Sequence, residues 1–120
     1  MASVMIVDDS DAIRMVLKDI VTIGKHSLVG ELQNGVGALD EYIKVNPDIV
    51  LLDMAMPKKD GVSVLKEIIK YNPGANVIMI SASDNQDTVK ECLSLGAKAY
   101  ILKPFNFHEV LEIITQVVKS

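Results

Sequence analysis

Three acidic side chains stand where apolar runs of this sequence end. Asp8 and Asp9 follow the run Val4–Val7, and Asp53 follows the run Ile49–Leu52. A continuous apolar run bounded by turn residues is typical of a strand that is buried on both faces. An aspartate at the end of such a strand either caps the next segment or is the reactive group of a site.

Two further polar side chains also follow apolar runs: Ser81 comes after Val77–Ile80, and Lys103 comes after Tyr100–Leu102. A serine hydroxyl can donate a hydrogen bond to a phosphoryl oxygen, and the lysine ammonium group is a point charge for an anion. Three carboxylates held close together raise one another's pKa, and a hard divalent cation relieves that repulsion. The five side chains therefore describe a site for Mg²⁺ and for a phosphoryl group on Asp53.

Five strands and five helices are predicted to position these residues. The predicted strands are Val4–Val7, Ser27–Leu32, Ile49–Leu52, Val77–Ile80 and Tyr100–Leu102. Apolar residues at helical spacing predict the core-facing side of each helix. In chain order these residues are Ile13, Val16, Leu17, Ile20 and Val21; Leu39, Tyr42 and Ile43; Val62, Leu65, Ile68 and Ile69; Val89, Cys92 and Leu93; and Val110, Leu111, Ile114, Val117 and Val118.

Strict alternation of strands and helices predicts a parallel sheet with helices on both faces. The carboxyl ends of parallel strands lie at one edge of the sheet, and neighbouring strands are about 4.8 Å apart, so the polar residues at these ends can converge. Ser27–Leu32 is expected near an edge of the sheet, and Ser83 or Asp84 is expected to cap the fourth helix. No linker or repeat interrupts the pattern, so residues 1–120 are expected to form a single domain without an output domain.

Composition excludes several other classes of protein. A formal net charge of -4 gives no electrostatic footprint for nucleic acid, and no basic run suggests a membrane surface. Cys92 is the single cysteine and only two histidines are present, so a zinc site of usual spacing is excluded. A single cysteine also fits a reducing compartment. We therefore expect a cytoplasmic protein that binds neither nucleic acid nor membrane directly, and a monomer.

The set of motifs resembles the receiver domain of two-component response regulators, and the resemblance covers the whole chain. Arg14 after the acidic pair and the expected lack of an output domain are similar to the stand-alone chemotaxis regulators within this family. The resemblance implies a flavodoxin-like, doubly wound α/β fold with strand order 2-1-3-4-5. It also implies a cis Lys103–Pro104 peptide bond. The motifs that carry it are Asp8-Asp9-Ser10, Leu51 to Pro57 with Asp60-Gly61, Ser81-Ala82 and Lys103-Pro104-Phe105.

The resemblance also implies a role for each residue at the strand ends. Asp53 would accept a phosphoryl group from the phosphohistidine of a sensor histidine kinase, or slowly from a small phosphodonor. Lys103 would pair with the phosphoryl oxygens, and Ser81 would donate a hydrogen bond to one of them. Positioning and charge stabilisation would account for the transfer. The Mg²⁺ ligands would be Asp8, Asp9, Asp53 and the backbone carbonyl of Ala55.

The family further implies a switch and a surface that reads it. Ser81 would move toward the phosphoryl group, and Tyr100 would be the aromatic switch residue that turns inward. The fourth helix, fifth strand and fifth helix would then bind a downstream protein, such as a flagellar or archaellar motor or an adaptor. Such a protein would undergo Mg²⁺-dependent self-phosphorylation and autodephosphorylation rather than act as a turnover enzyme. Positions 55 and 83, which influence access of water to the phosphoryl group in this family, carry the short side chains of Ala55 and Ser83.

Two other interpretations remain beside this one. The chain is alternatively a receiver domain excised from a larger response regulator, or a relay for one. An aspartate-nucleophile phosphatase of the haloacid-dehalogenase type is disfavoured, because it needs a second aspartate two residues after the nucleophile and Ala55 stands there. A nucleotide- or flavin-binding domain is also disfavoured, since Gly35-Val36-Gly37 continues to Asp40 where the phosphate-binding fingerprint needs glycine.

Overall fold

The structure, a computed structural model, describes residues 1–119, which form a five-stranded parallel sheet between two layers of helices. The strands are β1 (Ser3–Val7), β2 (Ser27–Leu32), β3 (Ile49–Asp53), β4 (Val77–Ser81) and β5 (Ala99–Leu102). The helices are α1 (Asp11–Ile23), α2 (Ala38–Val45), α3 (Gly61–Tyr71), α4 (Gln86–Ser94) and α5 (Phe107–Lys119). Ser120 lies outside the described residues.

The strand order is β2-β1-β3-β4-β5, which confirms the predicted flavodoxin-like arrangement. Strand β2 lies at one edge of the sheet, as its mixed sequence predicts, and β5 lies at the other edge. Strand β1 is central and pairs with both β2 and β3, with Val7 opposite Leu52. This register places the residues that follow β1 beside the end of β3.

Alternating side chains of the sheet pack into two separate cores. Val4 and Ile6 of β1 face the core that α1 and α5 cover, and Met5 and Val7 face the core under α2, α3 and α4. Each fully buried aliphatic side chain of this size contributes about 1.5–3 kcal/mol through removal from water. The two cores cover both faces of the sheet and fix the positions of the strand ends at its carboxyl edge.

Four apolar residues that were predicted to face the core are instead exposed. They lie at the margins of the predicted apolar sides, where the surface of the helix is no longer covered by the sheet. On α1, the buried residues include Leu17, Ile20 and the charged Arg14, so its core-facing side is rotated toward Arg14. The exposed residues are Val16, Ile43, Leu93 and Val118.

Polar side chains cap the start of three helices. Ser10 caps α1 by accepting a hydrogen bond from the Ile13 amide, and Asp60 caps α3. The prediction for α4 was wrong, because its cap is Asn85 rather than Ser83 or Asp84: the Asn85 side chain accepts hydrogen bonds from two amides of the first turn. Ser83 lies two residues before Asn85, and its hydroxyl oxygen accepts a hydrogen bond from the Asn85 amide at 3.3 Å.

No helix within residues 1–119 has both the length and the apolar character that a membrane span requires.

Candidate functional site

Three carboxylates meet at the carboxyl edge of the sheet. Asp8 and Asp9 follow β1, Asp53 ends β3, and one oxygen of each lies within 4.8 Å of the others. Asp8 and Asp53 are almost fully buried, with 1% and 3% exposure, whereas Asp9 is exposed. One oxygen of Asp8 accepts a hydrogen bond from the Ser10 amide at 2.9 Å, so the turn into α1 orients this carboxylate.

Lys103 provides the positive charge at this cluster. Its Nζ lies 3.2 Å from Asp53 Oδ1 and 3.5 Å from Asp8 Oδ2. The residue follows β5, two strands away from β3, and its long side chain spans the end of β4 to reach the carboxylates. The Lys103–Pro104 peptide bond is cis. One ammonium group therefore contacts two buried carboxylates at once.

The charge balance of the cluster shows in the pKa of Asp53, which is raised to about 6. Burial of the carboxylate is the largest cause, and the negative charge of Asp8 adds to it. Lys103 acts in the opposite direction but does not compensate fully. A set of carboxylate oxygens whose negative charge is only partly balanced fits a hard divalent cation such as Mg²⁺.

Two backbone hydrogen bonds hold the start of the loop after β3. The Met54 amide donates to the Ile80 carbonyl at 3.0 Å, and the Met54 carbonyl accepts from the Gly61 amide at 2.8 Å. The next carbonyl, that of Ala55, accepts no hydrogen bond from any residue between 1 and 119. Ala55 lies two residues after Asp53 and is exposed.

Ser81 ends β4, directly after the residue that pairs with Asp53. It is buried, and its Oγ accepts a hydrogen bond from the Ser83 amide at 3.0 Å. The hydroxyl hydrogen of Ser81 is not used by that bond, so it can be donated to another acceptor. Tyr100 is half-buried and donates from its hydroxyl to the Ser83 carbonyl at 2.9 Å. The single residue Ser83 therefore connects Ser81 to Tyr100.

Gly61 matters to the site in a way that the sequence analysis missed. A Cβ atom at Gly61 would lie 2.2 Å from the Asp53 carbonyl oxygen and 2.8 Å from Met54 Cα. Only glycine permits this approach of the α3 start to the backbone that carries Asp53. A glycine at the first position of a helix, where it is a poor helix former, was the available signal.

We expect Gly61→Ala to lower the free energy of unfolding by about 2–3 kcal/mol, because backbone atoms of Asp53 and Met54 cannot move aside cheaply. Gly74→Ala is the matched control, since its added Cβ would meet nothing closer than Asn72 Oδ1 at 3.5 Å. Urea denaturation of both variants measures the difference. Equal stability of the two variants would show that the backbone after β3 can move away from the added Cβ atom without a loss of free energy of unfolding.

Comparison with known proteins gives the family. Residues 4–115 match the family described as the response regulator receiver domain. CheY of Thermotoga maritima is 42% identical over 116 residues, which cover 97% of each chain. CheY of Listeria monocytogenes is 40% identical over 99% of this chain and 100% of its own.

A solved structure agrees in sequence and in fold. In the crystal structure of a complex of CheX, CheY, BeF₃ and Mg²⁺ from Borrelia burgdorferi, the matching chain has a TM-score of 0.92 and 38% identity. The match covers 96% of this chain and 87% of that one. The family match spans most of the chain and the CheY relatives match it nearly end to end, so the chain belongs to the receiver domain family of two-component response regulators.

Proposed function

We propose that this chain is a phosphorylation-activated signalling protein that accepts a phosphoryl group on Asp53 from the phosphohistidine of a sensor histidine kinase. The observation that supports the proposal is the position of Asp53, which is buried, clustered with Asp8 and Asp9, and in contact with Lys103 at 3.2 Å. The similarity to CheY proteins supports chemotaxis as the pathway. Since the donor is an intracellular kinase domain, the proposed place of action is the cytoplasm.

In the transfer, a carboxylate oxygen of Asp53 attacks the phosphorus atom, and the bond from phosphorus to the donor imidazole nitrogen breaks. The imidazole leaves with the bonding electron pair, and an acyl phosphate forms on Asp53. Asp53 must be ionised to attack, and its pKa of about 6 leaves it mostly ionised at neutral pH. Asp8, Asp9, Asp53 and the Ala55 carbonyl would hold Mg²⁺, which supplies positive charge to the acids and the phosphoryl oxygens.

Two side chains of this chain act on the phosphoryl group directly. Lys103 already contacts Asp53, so its ammonium group pairs with the oxygens that the phosphoryl group brings to that position. Ser81 turns toward a further phosphoryl oxygen and donates to it the hydroxyl hydrogen that the bond from the Ser83 amide leaves unused. The chain acts as a phosphoacceptor, with Mg²⁺-dependent self-phosphorylation and autodephosphorylation, rather than as a turnover enzyme.

The same contacts connect the site to the surface that reads it. When Ser81 turns toward the phosphoryl group, its bond with the Ser83 amide is lost, and the Ser83 carbonyl is the acceptor of the Tyr100 hydroxyl. A local change at Asp53 thereby biases the position of the Tyr100 ring. Tyr100 lies on β5, between α4 and α5, where exposed apolar side chains are available to a downstream protein: Leu93, Leu102 and Phe107.

Beryllofluoride with Mg²⁺, which mimics a phosphoryl group on an aspartate, tests this proposal. We expect the NMR signal of the Tyr100 ring to shift in the wild-type protein and to stay unchanged in Asp53→Asn. Tyr42 and Tyr71, the other two tyrosines of the chain, are internal controls because they lie on α2 and α3 and pack against each other. The absence of a shift at Tyr100, or an equal shift in Asp53→Asn, would contradict the proposal.

A further inference from the structure

Arg14 is a buried charged residue directly behind the acidic cluster. It is only 7% exposed, and a charged side chain is rarely buried to this degree unless it is paired. Three of its nitrogens make hydrogen bonds in different directions: Nε donates to Glu31 Oε2 at 2.9 Å, Nη1 to the Asp8 carbonyl at 2.7 Å, and Nη2 to Asp11. The guanidinium group therefore bridges α1, β2 and the end of β1.

The contact with Asp8 is made to the peptide that joins Asp8 to Asp9. A peptide unit is planar, so the orientation of the Asp8 carbonyl also fixes the direction in which the chain continues into Asp9. The other side of Asp8 is tied as well, because its amide donates to the Leu32 carbonyl at 3.1 Å. With both attachments, the backbone that carries the two adjacent carboxylates has a single orientation.

Glu31 on β2 fixes the position of the guanidinium group in turn. Glu31 accepts from Arg14 with one oxygen, while its other oxygen lies 3.3 Å from Lys18 Nζ. A lysine at position 14 has one ammonium group and could not satisfy acceptors on three elements at once, whereas the planar fork of arginine does. The arrangement requires an arginine in particular.

We propose that Arg14 is a positioning residue for the magnesium site: through the Asp8–Asp9 peptide it holds the two carboxylates in the orientation that binds the cation. This inference rests on the proposed function. Removal of a group that hydrogen-bonds to the residues that bind a metal commonly lowers the metal affinity about 10–100-fold. Loss of Arg14 therefore weakens Mg²⁺ binding by about tenfold without removal of any ligand.

The test is a Mg²⁺ titration followed by backbone amide NMR shifts, in the absence of any phosphodonor. We expect Arg14→Met to raise the Kd for Mg²⁺ about tenfold and Arg14→Lys to recover only part of that loss. Amide hydrogen exchange at Asp8, whose amide donates to the Leu32 carbonyl, should also become faster in Arg14→Met. Ile20→Val is the matched control on the same helix, because it loosens packing under α1 and leaves every contact of Arg14 in place. This control should bind Mg²⁺ as the wild type does.

The outcomes separate the inference from the proposed function. A folded Arg14→Met that binds Mg²⁺ like the wild type, or an equal loss of affinity in Ile20→Val, would overturn the positioning role. If Arg14→Met fails to fold, Glu31→Gln is measured instead, since it removes the negative charge that pairs with the guanidinium group. Unchanged Mg²⁺ affinity and unchanged amide exchange at Asp8 in Glu31→Gln would overturn the role equally. A wild-type protein that binds no Mg²⁺ would contradict the proposed function itself.

Discussion

Replacement of Lys103 by methionine is expected to lower the free energy of unfolding of the metal-free protein by about 3 kcal/mol near pH 8. The methionine side chain keeps much of the apolar stem and removes the ammonium group. Asp8 and Asp53, whose side chains are 1% and 4% exposed, then lose the cation that contacts both of them. Removal of one partner from a buried ion pair is costly because the other charges remain buried without compensation.

The loss should be smaller near pH 5. Lys103 lowers the pKa of Asp53, so its removal raises that pKa further above the present value of about 6. Below that value Asp53 takes up a proton in the folded state and needs no cation. Urea denaturation at both pH values in the presence of a chelator measures the difference. Lys98→Met is the control, since Lys98 is exposed and its ammonium group, within residues 1–119, bonds to the neutral Asn76 side chain. An equal loss at both pH values would show that packing, not charge, is what Lys103 provides.

The fold was accessible from the sequence because its signals are local and repeated. Five apolar runs alternate with amphipathic segments, and this alternation alone predicts a parallel sheet with covered faces. The strand order followed from the family resemblance, since periodicity does not determine which strands are neighbours. That Asp8 and Asp53 lie at one edge followed from the parallel arrangement, because Asp8 directly follows β1 and Asp53 ends β3.

The predictions of buried helix residues were wrong where the packing of the helix on the sheet decides which residues are covered. Val16 and Leu93 have the spacing of core residues, yet both are exposed, because the orientation of a helix on the sheet decides which margin of its apolar side is covered. Arg14 shows the converse. Arginine is seldom buried unless it is paired, and the three-dimensional convergence of Glu31, Asp11 and the Asp8 carbonyl explains its burial.

Backbone contacts were the least predictable part of the site. The close approach of Gly61 to Asp53 and the bond from the Tyr100 hydroxyl to the Ser83 carbonyl both involve main-chain atoms. Every residue has a carbonyl group, so residue type alone does not indicate which one a distant side chain will reach. The sequence therefore predicts which side chains form a site, but it does not predict the backbone contacts that connect them.

Asp53→Asn is expected to stabilise the metal-free protein above about pH 6 while it abolishes phosphoryl acceptance. Burial, and then the charge of Asp8, raise the pKa of Asp53 from 3.8 to about 6. The folded state therefore binds this proton more tightly than the unfolded state does. As the pH rises from about 4 to about 6, the unfolded state releases the proton first, and the wild-type protein loses stability.

Asparagine carries no charge and has no such loss. The variant should therefore gain on the wild type across this interval and keep a constant advantage at higher pH. This rise in the pKa, which already includes the opposing effect of Lys103, corresponds to about 3 kcal/mol, and we expect a gain of up to about that size. Thermal or urea unfolding at a series of pH values, with a chelator present, measures the gain. Asp84→Asn is the control, since Asp84 is an exposed acid of the loop after β4. A gain for Asp53→Asn that is already complete near pH 4 would contradict this prediction. It would mean that the carboxylate of Asp53 ionises as readily in the folded protein as in the unfolded chain. The site would then have no excess negative charge for a divalent cation to balance.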